Sequence, residues 1–286
     1  MPTTLVVLDL LGETMKRLDV IGNISRDLTR YPDDRGGYRL GGAALFLSLA
    51  ATDAGRRAAP VCVLGSDLAH LVEAPGLDTL DWSARIQVEG ASTIFDLEYD
   101  LHGELVGVGT DYGVAEGLTE HALKHVDLHP RHTYHVCCRR PLNVAAVLDR
   151  LGDNGTDFSV DFFLPSAEAM IRAAAPWLPK ATTLFANAAE YRLLDQVIDS
   201  RTLPEVVVTD GPRAAVVHRF GRQVASSVPP PHPPREVSGA GDTLAGTFLA
   251  HRSQGATAAQ ALAEATEAAA RYVAAPSLPI PAPRRG

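Results

Sequence analysis

A short stretch in the last fifth of the chain, "VSGAGDTLAGT" (237–247), combines glycines, small residues and one carboxylate in a pattern suited to anion binding. Gly239 and Gly241 permit backbone conformations closed to other residues and leave the neighbouring amides uncovered. The residues that follow, "TLAGTFLAHR", predict a helix, whose first turn has unpaired N–H donors and the positive end of the helix dipole. The stretch therefore predicts a phosphate site with Asp242 beside it.

Short β-rich segments alternate with alanine-rich segments around this stretch, which is typical of an α/β fold with a mostly parallel sheet and crossover helices. "LDVIGNIS" (18–25) and "APVCVLG" (59–65) predict strands on either side of a helix over 42–55 that ends at Gly55. Four more strands are predicted at "TYHVCC", "DFSVDFF", "TTLFAN" and "EVVVTDG", and a long helix at "GATAAQALAEATEAAARYVAA".

Residues 85–113 interrupt this alternation with period-two patterning around a "DLHGEL" turn and no helix signal. The segment predicts a hairpin outside the main sheet, and we favour a small lid over a ligand; the alternative is an extension of a sheet edge. The other predicted divisions are an N-terminal extension or extra element over 1–17, one main domain over 18–275, and a proline-rich, irregular tail over 276–286.

Composition narrows the classes of partner. The formal net charge of −8, without a dense run of Lys or Arg, argues against nucleic acid and anionic membranes as partners. The apolar run within 1–17 is too short to span a bilayer and contains an acid. Three cysteines, two of them adjacent, suit a reducing cytoplasm. We therefore expect a cytoplasmic protein with small-molecule partners; a homodimer formed by lid pairing stays open.

The segment "HPRHTYHVCCRR" (129–140) crowds three histidines and two cysteines together and raises zinc binding as an alternative. Tyr134, Val136 and Cys138 alternate like one face of a strand, and no second cluster of ligands follows. The pattern favours a buried strand.

Two common phosphate-binding motifs are missing from the sequence. It contains no GxxxxGK[ST] loop, and "GVGTDYG" (107–113) lacks the GxGxxG spacing and opens no helix. The late glycine-rich helix start with its own acid remains as the phosphate site.

These residues resemble the ribokinase-like, or PfkB, carbohydrate kinases. "VSGAGDTLAGTFLA" is similar to the late signature of that family, and the glycine pair at 41 and 42 with "LGSD" at 64–67 is similar to the early one. "NAAE" (187–190) resembles its NxxE element, and "VVVTDGPRAAVV" (206–217) the strand and turn beside its nucleotide pocket. The resemblance runs from about Leu18 to Ala274 and implies a ribokinase-like three-layer α/β/α fold with a small β lid. It also implies transfer of a phosphoryl group from ATP to an alcohol.

The resemblance assigns roles at the phosphate site. The backbone amides of Gly239, Ala240, Gly241 and Asp242 would form an anion hole for the transferred phosphoryl group, and Asp242 would be the general base. Asn187 and Glu190 would lie by the triphosphate, with Glu190 organising Mg²⁺ through water; the alternative for this pair is a helix cap.

Two further groups of residues take roles from the resemblance. Thr209 and Gly211 would line the nucleotide side, although Ala214 stands where the family usually has another glycine. Asp27 would bind acceptor hydroxyls, with Gly41 and Gly42 letting the acceptor ring lie against the backbone. Glu236 stands just before the GAGD stretch, where the family often has Asp.

Phe46 departs from the family at the acceptor site. The sugar and nucleoside kinases of the family usually carry Asn there, and members with an aromatic residue in this context resemble inositol kinases. We favour a cyclitol or modified sugar as acceptor; a simple core role for Phe46 fits its spacing equally well. The alternatives are a nucleoside or ribose-type kinase, and a catalytically silent binding or regulatory protein.

Overall fold

The computed structural model describes residues 16–33, 36–102, 104–233, 235–275 and 278–280. Within these ranges the strands are β1 (Leu18–Ile21), β2 (Ser25–Arg30), β3 (Gly37–Gly41), β4 (Ala58–Val61), β5 (Val63–Gly65), β6 (Ile86–Val88), β7 (Thr93–Tyr99), β8 (Leu105–Asp111), β9 (Thr133–Cys138), β10 (Phe158–Phe162), β11 (Thr183–Asn187), β12 (Val206–Thr209), β13 (Ala215–Arg219) and β14 (Arg222–Ser227). The α-helices are α1 (Ala43–Asp53), α2 (Leu118–Leu128), α3 (Val144–Asp153), α4 (Ala167–Ala174), α5 (Ala188–Val197), α6 (Ala240–Ser253) and α7 (Ala258–Ala274).

Eight strands form the central sheet in the order β14-β13-β12-β11-β10-β9-β1-β4. The strands from β12 to β4 are parallel, and β13 and β14 are antiparallel additions at one edge. One hydrophobic core lies between the sheet and helices α1, α6 and α7, and a second lies between the sheet and helices α2 to α5. Two covered faces explain why strands such as β1, β9 and β10 are buried along almost their whole length, and the predicted three-layer α/β fold is confirmed.

A second sheet of four strands, in the order β3-β2-β7-β8, lies apart from the central one. Its β7 and β8 form an antiparallel hairpin within the segment 85–113. We refer to this sheet as the lid. Its other two strands come from the segment 25–41, and β6 pairs with β5 instead of joining the lid.

Two strand predictions were wrong in their boundaries. The segment 18–25 divides into β1 and β2, which belong to different sheets, and 59–65 divides into β4 and β5 at Cys62. At the first break the chain leaves the central sheet at Gly22, where an added Cβ would lie only 3.0 Å from Cys137 Sγ. Gly22 therefore allows a close approach to β9 that a larger residue would prevent.

The remaining predicted elements are confirmed: α1 ends two residues before Gly55, whose φ is +85°, and α7 lies within the predicted long helix. Of the proposed extension over 1–17, residues 1–15 lie outside the described residues. Of the tail over 276–286, the described Leu278 and Ile280 pack against the core, and the Leu278 carbonyl accepts a bond from the Leu40 amide at 3.1 Å. None of the helices in the described ranges is long and apolar enough to cross a membrane.

Candidate active site

The predicted donor-side residues lie at the carboxyl end of the central sheet, where β9 to β12 end side by side, whereas Asp27 and Gly41 belong to the lid and Phe46 to α1. In parallel α/β sheets this edge is where ligands bind. Asn187 and Thr209 are the last residues of β11 and β12 and pair with each other. Two of the residues predicted to bind ATP are therefore adjacent. Arg139 directly follows β9, and Asp161 is near the end of β10.

Helix α6 begins at this edge. Its N-cap, Gly239, has φ +89°, and a Cβ there would lie 2.6 Å from Phe46 Cδ2 and 2.7 Å from the Tyr272 hydroxyl. The first bond of the helix runs from the Thr243 amide to the Gly239 carbonyl at 2.9 Å. Because Gly241 precedes that bond and a Cβ on it would meet no atom within 4 Å, an anion can approach its amide closely.

Not all four predicted anion-hole amides are equally free. The Ala240 amide donates to the Val237 carbonyl at 3.2 Å in the turn that leads into α6. The amides of Gly241 and Asp242, at the second and third helical positions, are therefore the better candidates for an incoming phosphoryl group.

Arg139 and Asp161 stand next to Asp242, and sequence reasoning missed both. The Arg139 guanidinium contacts the Asp161 carboxylate, lies 3.7 Å from Asp242 Oδ1, and stacks 5.5 Å from the centre of the Phe163 ring. Asp161 also accepts a bond of 3.3 Å from His135 Nε2. The rule that sites lie at the carboxyl ends of parallel strands is the signal that would have found them.

Burial shifts the pKa values at this site, and the charges of neighbouring groups modify the shifts. Burial raises the pKa of Asp242 to about 6, with Arg139 opposing the rise and Asp161 adding to it. Burial also raises the pKa of Glu190 to about 7, and its backbone bond to Asn187 opposes that rise. For Asp161 the burial effect is outweighed, chiefly by Arg139, so its pKa lies below the ordinary value.

Asn187 and Glu190 form a capping box on α5. The Asn187 side chain accepts bonds from the amides of Ala189 and Glu190, both at 2.9 Å, and the Glu190 carboxylate accepts one from the Asn187 amide at 2.8 Å. The helix-cap alternative is thus realised in the structure. It leaves a Mg²⁺ role open, because Glu190 also interacts electrostatically with Asp161 and Asp242.

Asp27 lies buried on the lid strand β2, with Ser25 Oγ donating to Oδ1 at 2.6 Å. Burial raises its pKa to about 7, and the charges of Glu236 and Asp242 add to the rise. The charge of the predicted base, Asp242, therefore acts on Asp27, the predicted acceptor-binding acid.

The glycine pair has a physical reason that differs from the predicted one. A Cβ on Gly41 would lie 2.0 Å from Asp27 Oδ2, and a Cβ on Gly42, whose φ is +105°, would lie 2.3 Å from the Asn23 carbonyl oxygen. The space over Gly41 and Gly42 is therefore taken by the Asp27 carboxylate and by the chain at Asn23.

Phe46 lies on the site side of α1. Its ring packs edge-to-face on Tyr272, with centroids 5.4 Å apart, and both rings line a cavity of about 10 Å³ beside Asp27 and Ser238. A volume of this size holds about one water molecule, so a polyol can be accommodated here only if the lid or these rings shift.

The lid is fastened to the start of α6 through Glu236. Its carboxylate accepts bonds from the Tyr31 hydroxyl at 2.8 Å and the Ser238 amide at 3.0 Å, and lies 3.0 Å from Arg39 Nε. Tyr31 stacks on Tyr99 of β7 with centroids 5.0 Å apart. The acid that departs from the family pattern thus connects the lid to the GAGD turn.

The histidine- and cysteine-rich segment contains the predicted strand β9, with Cys137 and Cys138 buried in different cores. The Asp19 carboxylate accepts bonds from His125 at 2.6 Å and His132 at 2.8 Å, and one from Arg17 at 2.6 Å. These direct hydrogen bonds to the Asp19 carboxylate account for the close approach of His125, His132 and Arg17.

Residues 15–284 match the pfkB family carbohydrate kinases. The chain belongs to this family. No curated protein matches the chain at a significant level.

Solved structures share the fold at low sequence identity. A nucleoside kinase from Burkholderia thailandensis in complex with inosine is 17% identical with a TM-score of 0.74, over 91% of each chain. An adenosine kinase from Sinorhizobium meliloti is 16% identical with a TM-score of 0.72, over 93% of this chain and 97% of that one. A putative ribokinase II from E. coli in complex with ATP and Mg²⁺ is 18% identical with a TM-score of 0.73, over 92% of this chain and 94% of that one.

The residues at the carboxyl edge fit a divalent cation of the kind that pfkB kinases use. Asp161, Glu190 and Asp242 place three carboxylates close enough to influence one another's ionisation, with Arg139 as the cation among them. Carboxylate oxygens and water are the ligands that Mg²⁺ prefers, and a second positive charge would favour the ionised forms of Glu190 and Asp242, whose pKa values are raised mainly by burial.

Proposed function

We propose that this pfkB-family protein transfers the γ-phosphoryl group of ATP to a hydroxyl of a small polyhydroxylated acceptor, with a cyclitol as the preferred class. The observation that carries the proposal is the placement of Asp242. Its carboxylate lies in the first turn of α6, beside the amides of Gly241 and Asp242, and its charge adds to the rise that burial causes in the pKa of Asp27. A base, an anion hole and an acceptor-binding acid are the parts that phosphoryl transfer to an alcohol needs.

In the proposed reaction Asp27 binds one acceptor hydroxyl and Asp242 accepts the proton of the hydroxyl that attacks the γ-phosphorus. A pKa of about 6 keeps Asp242 mostly ionised at neutral pH while leaving it basic enough to take a proton. The amides of Gly241 and Asp242 stabilise the charge on the phosphoryl oxygens. The hydroxyl oxygen forms its bond to phosphorus as the bond to the ADP leaving group breaks.

Donor binding is proposed at the ends of β11 and β12. Asn187, Glu190, Thr209 and Gly211 would line it, and Gly211, with φ +57° and no atom within 4 Å of an added Cβ, leaves room at that turn. Glu190 would hold Mg²⁺ through water; the ion would supply positive charge to the triphosphate. Arg139 would hold the Asp242 carboxylate in place by charge, 3.7 Å away.

The acceptor class is proposed from Phe46 and Tyr272. An Asn side chain at position 46 would offer a hydrogen-bond donor and an acceptor. The Phe46 ring instead presents an apolar surface beside Asp27. A ring with a C–H face and hydroxyls at its rim matches an apolar wall opposite a carboxylate. A cyclitol has this character.

A nucleoside is the second candidate, favoured by the aromatic cluster under the lid. Phe95 packs edge-to-face against Tyr112 and Phe163, with centroids 6.4 and 6.1 Å apart, and the Tyr31–Tyr99 stack lies in the same cluster. Such rings offer stacking surface for a base.

Purified protein with ATP and MgCl₂ tests the proposal against a panel of myo-inositol and its isomers, ribose, fructose 6-phosphate, adenosine and inosine, scored by ADP release. We expect acceptor-dependent ADP release, largest with an inositol. If nucleosides alone are phosphorylated, the second candidate is correct. If no acceptor in a broad panel raises ADP release above the Asp242→Asn background, the kinase proposal is wrong and the silent binding protein is favoured.

A further inference from the structure

A cavity of about 420 Å³ lies at the opposite edge of the central sheet from the candidate active site. It is lined by the first residues of four parallel strands: Leu18, Thr133, Phe158 and Thr183. Its other wall is the end of α6, at Leu249 and Arg252 to Ser253. No residue of the proposed kinase site lines it, so it needs a separate explanation.

Arg56 lines this cavity as a buried cation without an acidic partner. It exposes only 6% of its surface, donates to the neutral Leu249 carbonyl at 3.2 Å and to Thr133 Oγ1, and its Nε has no hydrogen-bond partner. Burial lowers the pKa of Arg56 to about 10, with no carboxylate of the described residues counteracting the burial. An unpaired buried charge is costly unless an anion offsets it.

The one buried carboxylate of the cavity is already paired. Glu205 accepts from Arg219 Nε at 2.8 Å and from Thr183 Oγ1 at 3.1 Å, and lies 3.6 Å from Arg252 Nε. Three arginines and two carboxylates, Glu205 and the exposed Asp157, line the cavity. Arg219 and Arg252 both pair with Glu205, whereas Arg56 has no ion-pair partner among the described residues.

We infer that this cavity binds a phosphate group, either inorganic phosphate or the phosphate of a small monoester. Arginine forks and hydroxyl donors are the groups that bind phosphate oxygens, and Arg56, Arg252, Thr133 and Ser159 all line this cavity. A volume well above that of one phosphate, with Phe158 and Phe220 in its walls, leaves room for an organic body. The inference does not depend on the proposed kinase activity.

Calorimetric titration of the full chain with inorganic phosphate and, separately, with ribose 5-phosphate tests the inference. Both titrations are done at constant ionic strength with the non-hydrolysable analogue AMP-PNP and Mg²⁺ in excess, so that the proposed donor site is occupied. We expect binding of at least one probe, weakened roughly tenfold or more in Arg56→Met. Tighter binding of ribose 5-phosphate than of phosphate assigns a monoester, and the reverse assigns the free ion.

Arg57→Met is the matched control, because Arg57 is the next residue, its side chain is 73% exposed and it pairs with Asp81 outside the cavity. This variant should bind both probes like the wild type. Arg252→Gln, which changes a second cavity arginine, should also weaken binding and serves if Arg56→Met does not fold. Binding that is unchanged in both cavity variants, or absent from the wild type, would overturn the inference.

Discussion

At the scale of single residues, one guanidinium balances three acids at the carboxyl edge of the sheet. Arg139 is the cation that opposes the raised pKa values of Asp27, Glu190 and Asp242. Its direct contact, however, is with Asp161, and of these four acids only Asp161 has a lowered pKa. The geometry therefore favours the ionised form of Asp161 and leaves the proposed base with a pKa closer to neutrality, as acid–base catalysis requires.

Asp242→Asn should lower kcat by roughly 10² to 10⁴ while the melting temperature changes little, because the substitution is nearly isosteric and removes only the proton acceptor. Steady-state kinetics on the best acceptor, with a thermal melt, measures both. Asp149→Asn, at an exposed position of α3, is the matched control and should behave as the wild type. Wild-type turnover by Asp242→Asn would remove this residue from the base role.

Arg139→Gln should shift the acid limb of the kcat profile to higher pH. Arg139 lowers the pKa of Asp242, so removing it raises that pKa above about 6, and the ionised base then requires a more alkaline solution. The variant should also lose about 3 to 5 kcal/mol of stability, because the buried Asp161 loses its cationic partner and retains a longer bond of 3.3 Å from His135.

The double variant Arg139→Gln, Asp161→Asn separates these two effects. It should recover much of the lost stability, since neither buried charge remains, while the shift of the acid limb persists in part. Equal stability of the single and double variants would contradict the pairing of Arg139 with Asp161.

At the scale of elements, the two glycines around the start of α6 have different structural roles. Gly239 is left-handed and closely packed against Phe46 and Tyr272, whereas Gly241 has open space around an added Cβ. The first glycine is required by the fold of the turn, and the second leaves the helix amides accessible.

Gly239→Ala should therefore destabilise the protein by about 1 to 3 kcal/mol, since it combines left-handed strain with a contact of 2.6 Å to the Phe46 ring. Gly241→Ala should keep the melting temperature and instead raise KM for ATP or lower kcat. Denaturant unfolding and steady-state kinetics measure the two outcomes. If Gly241→Ala were instead the less stable variant, a Cβ at position 241 would have to clash with neighbouring atoms, contrary to the open space there.

The elements that could be predicted from the sequence are those whose patterning is local. Helices α1 and α7 and strands β9 to β12 follow from apolar runs, helix propensity and terminating glycines. The lid strands β2 and β3 could not be assigned in this way, because β2 pairs with β7 more than sixty residues away and a break of three residues separates it from β1.

The same limit applies to the site. The motif residues Asp242, Asn187 and Asp27 could be found by sequence resemblance, but Arg139 and Asp161 carry no local signal of their position beside Asp242. That position arises only when β9 and β10 become neighbours and end beside α6. The capping box at Asn187 and Glu190 shows the converse, a local pattern that is real whatever chemistry the same residues perform.

At the scale of the whole molecule, burial of Asp27 couples folding to pH. Its pKa is 3.8 in an unfolded chain and about 7 in the folded protein, so between these values the folded state binds more protons than the unfolded state. The contribution of Asp27 to stability is then most favourable below about pH 4 and is lost as the pH rises through about 7.

Asp27→Asn removes this cost, because the amide cannot ionise. We expect the melting temperature of the variant to exceed that of the wild type by roughly 2 °C or more at pH 8, and the difference to shrink towards pH 5. Thermal melts at the two pH values measure it, with Asp149→Asn as the control that changes neither. A difference that is the same at pH 5 and pH 8 would show that Asp27 has no raised pKa in the folded protein.

Acceptor choice also belongs to the whole molecule, because lid and core form the site together. Asp27 comes from the lid sheet, Phe46 from α1, Ser238 from the turn before α6 and Tyr272 from α7, and together they enclose about 10 Å³. In the proposed site, closure around an acceptor would therefore select for a shape that fits the Phe46 wall and the Asp27 carboxylate at once. A side chain at position 46 that can form hydrogen bonds should therefore change which acceptor is phosphorylated most efficiently.

We expect Phe46→Asn to leave turnover of an inositol unchanged or lower it, and to raise kcat/KM for ribose, because the amide supplies the donor and acceptor that ribose hydroxyls lack in the wild type. Phe46→Leu is the matched control: it keeps an apolar wall and should not gain activity on ribose. The acceptor panel, measured on the wild type, Phe46→Asn and Phe46→Leu, tests this prediction. If ribose is phosphorylated by the wild type at least tenfold more efficiently than every inositol and nucleoside, the cyclitol proposal is wrong; if Phe46→Asn and Phe46→Leu have identical acceptor profiles, the ring at position 46 does not contact the acceptor.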